Sequence, residues 1–184
     1  IRSPHHSAST PALVGGGSVP QAGEVSLAHH GVLFLDEFPE FTRSALESLR
    51  QPLEDGRVTI ARAQNTVNFP ASFILITAMN PCPCGYYTDP RRACKCTPLL
   101  IERYLSRISG PLIDRIDIHI EVPAIAFSEL RSNRDGTPSA TIREEVQVAR
   151  TRQRERFGDN STMSNSRMTS RLLRQHCAID DAGE

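Results

Sequence analysis

The sequence of 184 residues has no tryptophan, no net charge and no long hydrophobic run. No apolar stretch approaches the roughly 18 to 20 residues that a membrane-spanning helix needs, so no membrane segment is predicted. The first residues, Ile1–His6, have no apolar segment behind them and do not resemble a signal peptide. Basic and acidic residues both number 21, so the net charge does not indicate a nucleic-acid partner. These absences favour a cytoplasmic chain of one domain, or of one domain plus part of a second.

The stretch around which the chain is organised is a short apolar run that ends in two carboxylates. Val32–Leu35, bounded by Gly31 and Pro39, predicts a buried strand of a parallel sheet. Asp36 and Glu37 follow it, where open α/β sheets bind ligands. Asp36 suits a Mg²⁺ held through water, and Glu37 suits activation of a water for attack on a phosphate. The pattern has the form of a Walker B element; the alternative is a buried strand that runs into an acidic loop.

A second apolar strand is predicted over Ser72–Ala78, and it is followed by Asn80. Beside the first strand, this amide would reach the same crevice and hold the attacking water or a terminal phosphate. The alternative is a turn residue before Pro81. Between the two strands, the pattern predicts a helix capped by Thr42 and a β-hairpin over residues 57–69.

Four of the five cysteines form two Cys-x-Cys pairs, which are Cys82 with Cys84 and Cys94 with Cys96. Four thiolates at this spacing suit a tetrahedral structural Zn²⁺ that has no open position for catalysis. Cys-x-Cys is less diagnostic than Cys-x-x-Cys, and reduced cytosolic thiols are the alternative. Cys177 stands apart and is predicted to be a small apolar filler.

Taken together in this order, the motifs resemble those of an AAA+ ATPase that has a β-hairpin before the strand followed by Asn80. More narrowly, the chain resembles the magnesium-chelatase-like AAA+ ATPases of the ComM/YifB family. The resemblance covers nearly the whole chain and is densest over residues 1–123. The stretches that carry it are Arg2–His6, Gly15–Pro20, Leu27–Glu37, Met79–Gly85 and Ser109–Asp117.

The resemblance implies an α/β fold in which a P-loop NTPase-type parallel sheet is flanked by helices, with a pre-sensor β-hairpin and the start of a small helical lid. It implies an AAA+ core over residues 1–127, a linker over 128–138 and the start of the lid over 139–184. It also implies ATP and Mg²⁺ as cofactors. Asp36 would be the Walker B aspartate at the Mg²⁺, Glu37 the catalytic glutamate and Asn80 the sensor-one residue.

Arg115, which precedes a predicted strand over Ile116–Val122, matches the arginine finger of the family. A finger stabilises transition-state charge on a nucleotide held by the neighbouring subunit. The alternative from the residues alone is a local ion pair with Asp114 or Asp117. Residues 1–30 match the helix-two insert, which faces the central pore in hexameric relatives.

The sequence departs from the family pattern because no Gly-x-x-x-x-Gly-Lys-Ser/Thr motif occurs in its 184 residues. The family carries this P-loop upstream of Arg2–His6, so the chain is expected to begin after it, with the sensor-two arginine falling beyond Glu184. Without the P-loop, the β- and γ-phosphates lose their main cradle. The chain alone is therefore expected to bind ATP weakly and to hydrolyse essentially none.

For function, the resemblance implies a homo-oligomeric, hexameric ring ATPase that remodels or translocates on DNA in natural transformation and recombination. Arg57, Arg62, Gln64 and Asn65 of the hairpin are candidates for phosphate contacts, as are the arginines of a helix predicted over 140–157; solvated polar surfaces are the alternative. Two other functions stay open, a magnesium-chelatase-type motor for metal insertion into a tetrapyrrole and a non-catalytic folded fragment. The four-cysteine loop and the Pro4–His6 stretch favour the ComM/YifB side.

Overall fold

The computed structural model describes residues 1–61, 66–123, 136–158 and 164–178. The chain divides into two compact units, Ile1–Ala124 and Ile125–Glu184, and each is described by itself. The predicted hairpin-tip contacts Arg62, Gln64 and Asn65 lie outside the described residues. So does most of the predicted linker over 128–138.

The elements of the first unit alternate between short helices and short strands. In chain order they are α1 (Thr10–Val14), β1 (Gly15–Gly16), β2 (Gln21–Ala22), α2 (Glu24–Leu27), β3 (Val32–Leu35), a 3₁₀ turn (Phe38–Glu40), α3 (Arg43–Glu47), α4 (Arg50–Asp55), β4 (Arg57–Ala61), β5 (Thr66–Pro70), β6 (Ile74–Thr77), α5 (Pro98–Leu105) and α6 (Gly110–Ile113).

The sheet that carries the two predicted strand ends is parallel. Strand β3 pairs with β6 in a register that sets Leu35 opposite Thr77. Leu33 and Leu35 are fully buried, which explains the apolar run. Arg2 extends the sheet on the other side of β3, since its N–H donates to the Val32 carbonyl over 2.8 Å. The predicted parallel strands are confirmed.

The helix predicted after the two acids begins where expected but is broken in two. The Thr42 side chain accepts a hydrogen bond from the Ala45 N–H, so Thr42 is the N-cap of α3. Helix α3 ends at Glu47, and α4 begins at Arg50. Pro52 accounts for the break, because proline lacks an N–H and its ring clashes with the carbonyl four residues earlier, here that of Ser48.

The predicted hairpin is also confirmed. Strands β4 and β5 are antiparallel, and their register sets Val58 opposite Phe69. The turn into the hairpin uses Gly56, whose φ of 65° places it in the left-handed region that favours glycine. Helices, a parallel sheet and this hairpin give the mixed α/β fold that the sequence predicted.

The strand predicted over Ile116–Val122 is not formed in the structure, so that prediction is wrong. The described residues 116–123 belong to no strand. Ile118, Ile120 and Val122 are 75%, 79% and 81% exposed. Alternating apolar residues supply a strand-like pattern, but a strand also needs a neighbour for its backbone groups, and the described residues offer none here.

One apolar core joins the sheet to the helices. Its fully buried large side chains are Leu13, Val25, Leu33, Leu35, Leu46, Leu49 and Leu112, with Phe38 and Phe41 nearly so. Leu13 and Val25 come from α1 and α2, so the glycine- and proline-rich first thirty residues are anchored in this core through two short helices.

The second unit contains α7 (Ser139–Phe157), a 3₁₀ turn (Asn165–Arg167) and α8 (Ser170–His176). The amphipathic helix predicted over 140–157 thus forms. Its apolar residues Ile142 and Val146 are 47% and 53% exposed, and no described residue of α7 is buried. In either unit, none of the described helices is both long and apolar enough to cross a membrane.

Candidate functional site

The loops that follow β3 and β6 are joined by backbone hydrogen bonds. The Ala78 N–H donates to the Leu35 carbonyl, and the Phe38 N–H donates to the Ala78 carbonyl, both over 3.0 Å. The two acids lie between Leu35 and Phe38, and Asn80 follows Ala78 by two residues. The structure therefore brings the two carboxylates and the Asn80 segment to one edge of the sheet, at the carboxyl ends of both strands.

Asp36 has a solvent-exposed carboxylate with acceptor capacity to spare. Its Oδ1 accepts a hydrogen bond of 2.8 Å from the Glu37 N–H. A carboxylate has about four lone-pair sites on its two oxygens, so this bond leaves sites that can accept from the waters of a hydrated cation. A hard oxygen donor at a strand end fits Mg²⁺, which keeps several waters when a protein holds it through one or two carboxylates.

Glu37 occupies a strained backbone position. Its φ of 50° and ψ of 44° lie in the left-handed region, which costs a residue with a Cβ about 1 to 2 kcal/mol. Phe38 and Pro39, both buried, hold the chain on the far side of this turn. The strained backbone fixes where the Glu37 side chain leaves the loop, and that side chain is 54% exposed.

His6 holds the Glu37 carboxylate in the structure. The His6 Nδ1 lies 2.7 Å from the Glu37 Oε2, in an ion pair if the imidazole is protonated. Sequence motifs did not indicate this contact, because His6 and Glu37 are far apart in the chain. The N-terminal segment thus reaches the candidate site.

Tyr104 in α5 and Arg107 in the turn directly after α5 contact the two strand-end loops. Burial, followed by the nearby Glu40 charge, raises the pKa of Tyr104, and the backbone of Asn80 beside its hydroxyl opposes this rise. The Arg107 guanidinium donates to the Pro39 carbonyl over 3.1 Å and to the Glu40 carboxylate over 2.8 Å. We call these two side chains the α5 brace. Sequence motifs did not indicate either residue.

Arg115, the predicted arginine finger, lies just beyond α6 and contacts α4. Its Nη2 and Nε donate to the Glu54 Oε1 over 2.6 and 2.9 Å. The ion-pair partner is therefore Glu54, whereas the sequence suggested Asp114 or Asp117. The Arg115 and Glu54 side chains are 46% and 41% exposed. Water reaches both groups, so Arg115 can leave Glu54 without exposing a buried charge.

The four cysteines of the two Cys-x-Cys pairs form one cluster. The sulfur atoms of Cys82 and Cys84 are 3.4 Å apart, those of Cys84 and Cys94 are 3.6 Å apart, and those of Cys82 and Cys94 are 3.8 Å apart. Cys96 completes the set, and all four sulfurs lie within 4.8 Å of one another. Cys82 is buried and the other three are partly exposed; all four are free thiols. Cys177, predicted as a filler, is exposed instead.

The thiols of this cluster differ in acidity. Hydrogen bonds from the backbone of Tyr86 and Lys95 lower the pKa of Cys84 from 9.0 to about 6. Burial raises the pKa of Cys96 to about 12. Backbone N–H groups are therefore already aimed at the Cys84 sulfur as they would be at a thiolate.

Comparisons with known proteins agree with these motifs. Residues 1–130 match the family described as magnesium chelatase, subunit ChlI, and residues 136–184 match the family described as magnesium chelatase, subunit ChlI C-terminal. The chain is 49% identical over 182 residues to the competence protein ComM of Haemophilus influenzae, covering 98% of this chain and 35% of ComM.

Two further relatives are uncharacterized proteins. The chain is 44% identical over 181 residues to YifB of Escherichia coli, covering 98% of this chain and 35% of YifB. It is 43% identical over 173 residues to a protein of Mycobacterium tuberculosis, covering 94% of this chain and 34% of that protein. The chain thus spans about a third of the length of these relatives, and it belongs to the magnesium-chelatase-like family that includes ComM and YifB.

Proposed function

We propose that the chain is part of the ATPase module of a ring-forming AAA+ motor that hydrolyses ATP to remodel or translocate on DNA in the cytoplasm. The observation that carries the proposal is the meeting of the Asp36 and Glu37 loop with the Asn80 loop at the carboxyl ends of two neighbouring parallel strands. This is where open α/β sheets bind ligands. Membership in the magnesium-chelatase-like family supports the same assignment.

In the proposed site, each polar side chain has a separate task. Asp36 holds the Mg²⁺ of the nucleotide through water, and that ion supplies neutralisation of charge on the phosphates. Glu37 takes a proton from the attacking water, once its carboxylate is released from His6. Asn80 positions that water or the terminal phosphate through its amide.

The 184-residue chain by itself is proposed to bind ATP weakly and to hydrolyse essentially none. A P-loop supplies the backbone N–H groups and the lysine that hold the β- and γ-phosphates, and this sequence contains no such motif. The proposed turnover therefore needs a protein that carries both the P-loop and this chain.

We propose that Arg115 acts across subunits of a homo-oligomeric, hexameric ring. A finger must be free to approach a phosphate of the neighbouring subunit. Arg115 meets this need, since it is half-exposed and its only recorded ion pair among the described residues is with the equally accessible Glu54. Residues 139–184 would begin the lid of the same module.

DNA is the proposed substrate for two reasons. The relative from Haemophilus influenzae is named a competence protein, which favours a task in DNA uptake or recombination. Helix α7 also presents a series of exposed arginines, which suit contacts with phosphate groups. These residues are Arg143, Arg150, Arg152, Arg154 and Arg156.

The second candidate function is a magnesium-chelatase-type motor that drives metal insertion into a tetrapyrrole. It is favoured by the two family descriptions, which name the ChlI subunit of magnesium chelatase. A DNA motor and a chelatase motor would share the ATP site, so only the response to substrate separates them.

The test is the ATPase rate of the protein in its full native length, with and without single-stranded and branched DNA. A clear rise with DNA supports the DNA motor, whereas a rate indifferent to DNA moves the assignment to the chelatase type. Glu37→Gln should lower kcat by about 10² to 10⁴-fold while ATP still binds, because the water loses its base. Glu121→Gln, at an exposed position outside the proposed ATP and DNA contacts, is the matched control. Full ATPase activity of the Glu37→Gln protein would contradict the assignment of Glu37 as the catalytic base.

A further inference from the structure

We propose that Cys82, Cys84, Cys94 and Cys96 bind one structural Zn²⁺ ion, which fastens the loop between β6 and α5. The proposal does not depend on the proposed ATPase function. It depends on four sulfur atoms that a loop without helices or strands brings within 4.8 Å of one another.

The spacing of the sulfur atoms is close to that of a tetrahedral zinc site. A Zn–S bond of about 2.3 Å gives a tetrahedron whose sulfur atoms are about 3.8 Å apart. The three sulfur pairs among Cys82, Cys84 and Cys94 are separated by 3.4, 3.6 and 3.8 Å. These distances are also far too long for a disulfide bond of about 2.05 Å. The cluster is arranged as ligands around a centre, not as two oxidised pairs.

The loop has few other means to hold its shape. Residues 81–97 form no helix or strand. Among residues 82–96, only Cys82 is buried, so the apolar core contributes little here. A structural zinc contributes folding free energy directly to segments of this kind. The buried position of Cys82 shows where the loop is attached to the rest of the unit.

Backbone groups in the loop already point at sulfur. The Cys96 N–H donates to the Cys94 sulfur over 3.4 Å. Such hydrogen bonds to coordinating atoms orient the ligands of a metal site and stabilise their charged form. A Cys-x-Cys pair places an N–H of this kind within reach of the preceding cysteine.

Charge in the loop is suited to a four-thiolate zinc site. Four thiolates and one Zn²⁺ carry a net charge of about −2. The loop contains Arg91, Arg92 and Lys95 against the single acid Asp89. Arg92 is held inside the loop, since its guanidinium lies 5.2 Å from the Tyr86 ring centroid and donates to the Tyr86 hydroxyl over 2.8 Å.

The four-sulfur donor set narrows the metal to zinc or iron. A tetrahedral set of four sulfurs selects zinc or iron, while magnesium and calcium need oxygen ligands. Four protein ligands leave no open position, so the ion is structural. We commit to zinc, and iron becomes an outcome of the test.

The position of the cluster gives the ion a clear mechanical effect. Cys82 is two residues beyond Asn80, and Cys96 directly precedes Thr97, whose side chain caps α5 by accepting from the Leu100 N–H. The ion would therefore tie the loop after β6 to the first turn of the helix that carries Tyr104.

The first experiment measures metal content in the full-length protein purified without added metal. We expect Cys94→Ser to lose one zinc per chain relative to the unsubstituted protein, whereas Cys177→Ser, which changes the exposed cysteine outside the cluster, loses none. Equal zinc in all three proteins would overturn the proposal. Iron in place of zinc in the unsubstituted protein would overturn the metal assignment.

A second measurement uses only the unsubstituted protein, in case Cys94→Ser does not fold. Cysteine alkylation is followed by peptide mass spectrometry, with and without a strong chelator. We expect Cys84, Cys94 and Cys96 to be protected until the chelator removes the ion, while Cys177 reacts in both conditions. Equal reactivity of the three partly exposed cysteines in both conditions, or disulfides among them, would overturn the proposal.

Discussion

The ion pair between Arg115 and Glu54 permits a sharp test of the proposed finger. Two substitutions, Arg115→Ala and Glu54→Gln, remove the same ion pair, whose two hydrogen bonds measure 2.6 and 2.9 Å. Only Arg115→Ala removes the guanidinium. A finger and a purely structural arginine therefore predict different outcomes for the two variants.

The structural part of the effect is small in both variants. The two side chains are 46% and 41% exposed, and ion pairs exposed to this degree contribute about 0.2 to 1 kcal/mol. Each substitution should therefore lower the free energy of unfolding by at most about 1 kcal/mol. The catalytic part differs, because loss of an arginine finger costs about 10³ to 10⁵ in kcat. Glu54→Gln keeps the finger and removes only the charge of its partner, so the ATPase rate should change by no more than about fivefold.

The assay is ATP hydrolysis by the full-length protein, with urea unfolding of each variant to check stability. Arg115→Ala mixed with Glu37→Gln should recover part of the activity, because a finger on one subunit serves the nucleotide site of its neighbour. Equal loss of activity in Glu54→Gln and Arg115→Ala would refute the finger and leave Arg115 as a structural contact between α6 and α4. Absence of recovery at every mixing ratio would refute action across subunits.

Three further predictions concern the contacts around the site and the core. His6→Ala should change the ATPase rate of the full-length protein by at most about fivefold, because the partly exposed contact of His6 with Glu37 has the strength of a surface ion pair. A larger loss of rate would contradict this and show that His6 does more than hold the Glu37 carboxylate. Leu46→Ala should lower the free energy of unfolding by about 2 to 5 kcal/mol, because Leu46 is fully buried, while Leu27→Ala, at a 56% exposed position, should change it by about 0.5 kcal/mol or less; equal effects in urea unfolding would contradict the packing described. Two hydrogen bonds from the Arg2 guanidinium lower the pKa of Glu24 below 4.5, so the Arg2–Glu24 pair stabilises the fold above about pH 4.5 and stops doing so as the pH falls through the lowered pKa. Glu24→Gln should therefore reduce the loss of unfolding free energy on acidification. An unchanged dependence of the unfolding free energy on acid pH would contradict the assignment.

Local signals in the sequence were sufficient for the elements that carry the site. The apolar run Val32–Leu35 forms a parallel strand as predicted; Leu33 and Leu35 are buried, whereas Val32 and Phe34 on the other face are only partly buried. Thr42 caps its helix because a side-chain oxygen there satisfies a free N–H of the first turn. The hairpin follows from two β-branched, alternating segments. These predictions depended on neighbours within a few residues.

Predictions failed or were silent where a distant partner decides the outcome. Alternation over Ile116–Val122 indicated a strand, but pairing depends on a neighbour that the local pattern cannot supply. The alternative considered for Arg115 was an ion pair with an acid beside it in sequence, and its partner in the structure is 61 residues away. The contact of His6 with Glu37 also joins distant residues. No periodicity or spacing rule encodes such contacts, because they follow from how the elements pack.

The α5 brace shows why the motif residues alone do not make the site. Glu37 sits in a strained conformation, and such strain persists only where the surroundings fix the backbone. Buried Phe38 supplies part of that restraint, and Arg107 supplies another by binding the carbonyl of the next residue, Pro39. Tyr104, one helical turn earlier, lies beside the backbone of Asn80. Residues of α5 and of the turn after it thus contact both loops at the strand ends, so the surroundings of the carboxylates and the amide include α5 as well as the sheet.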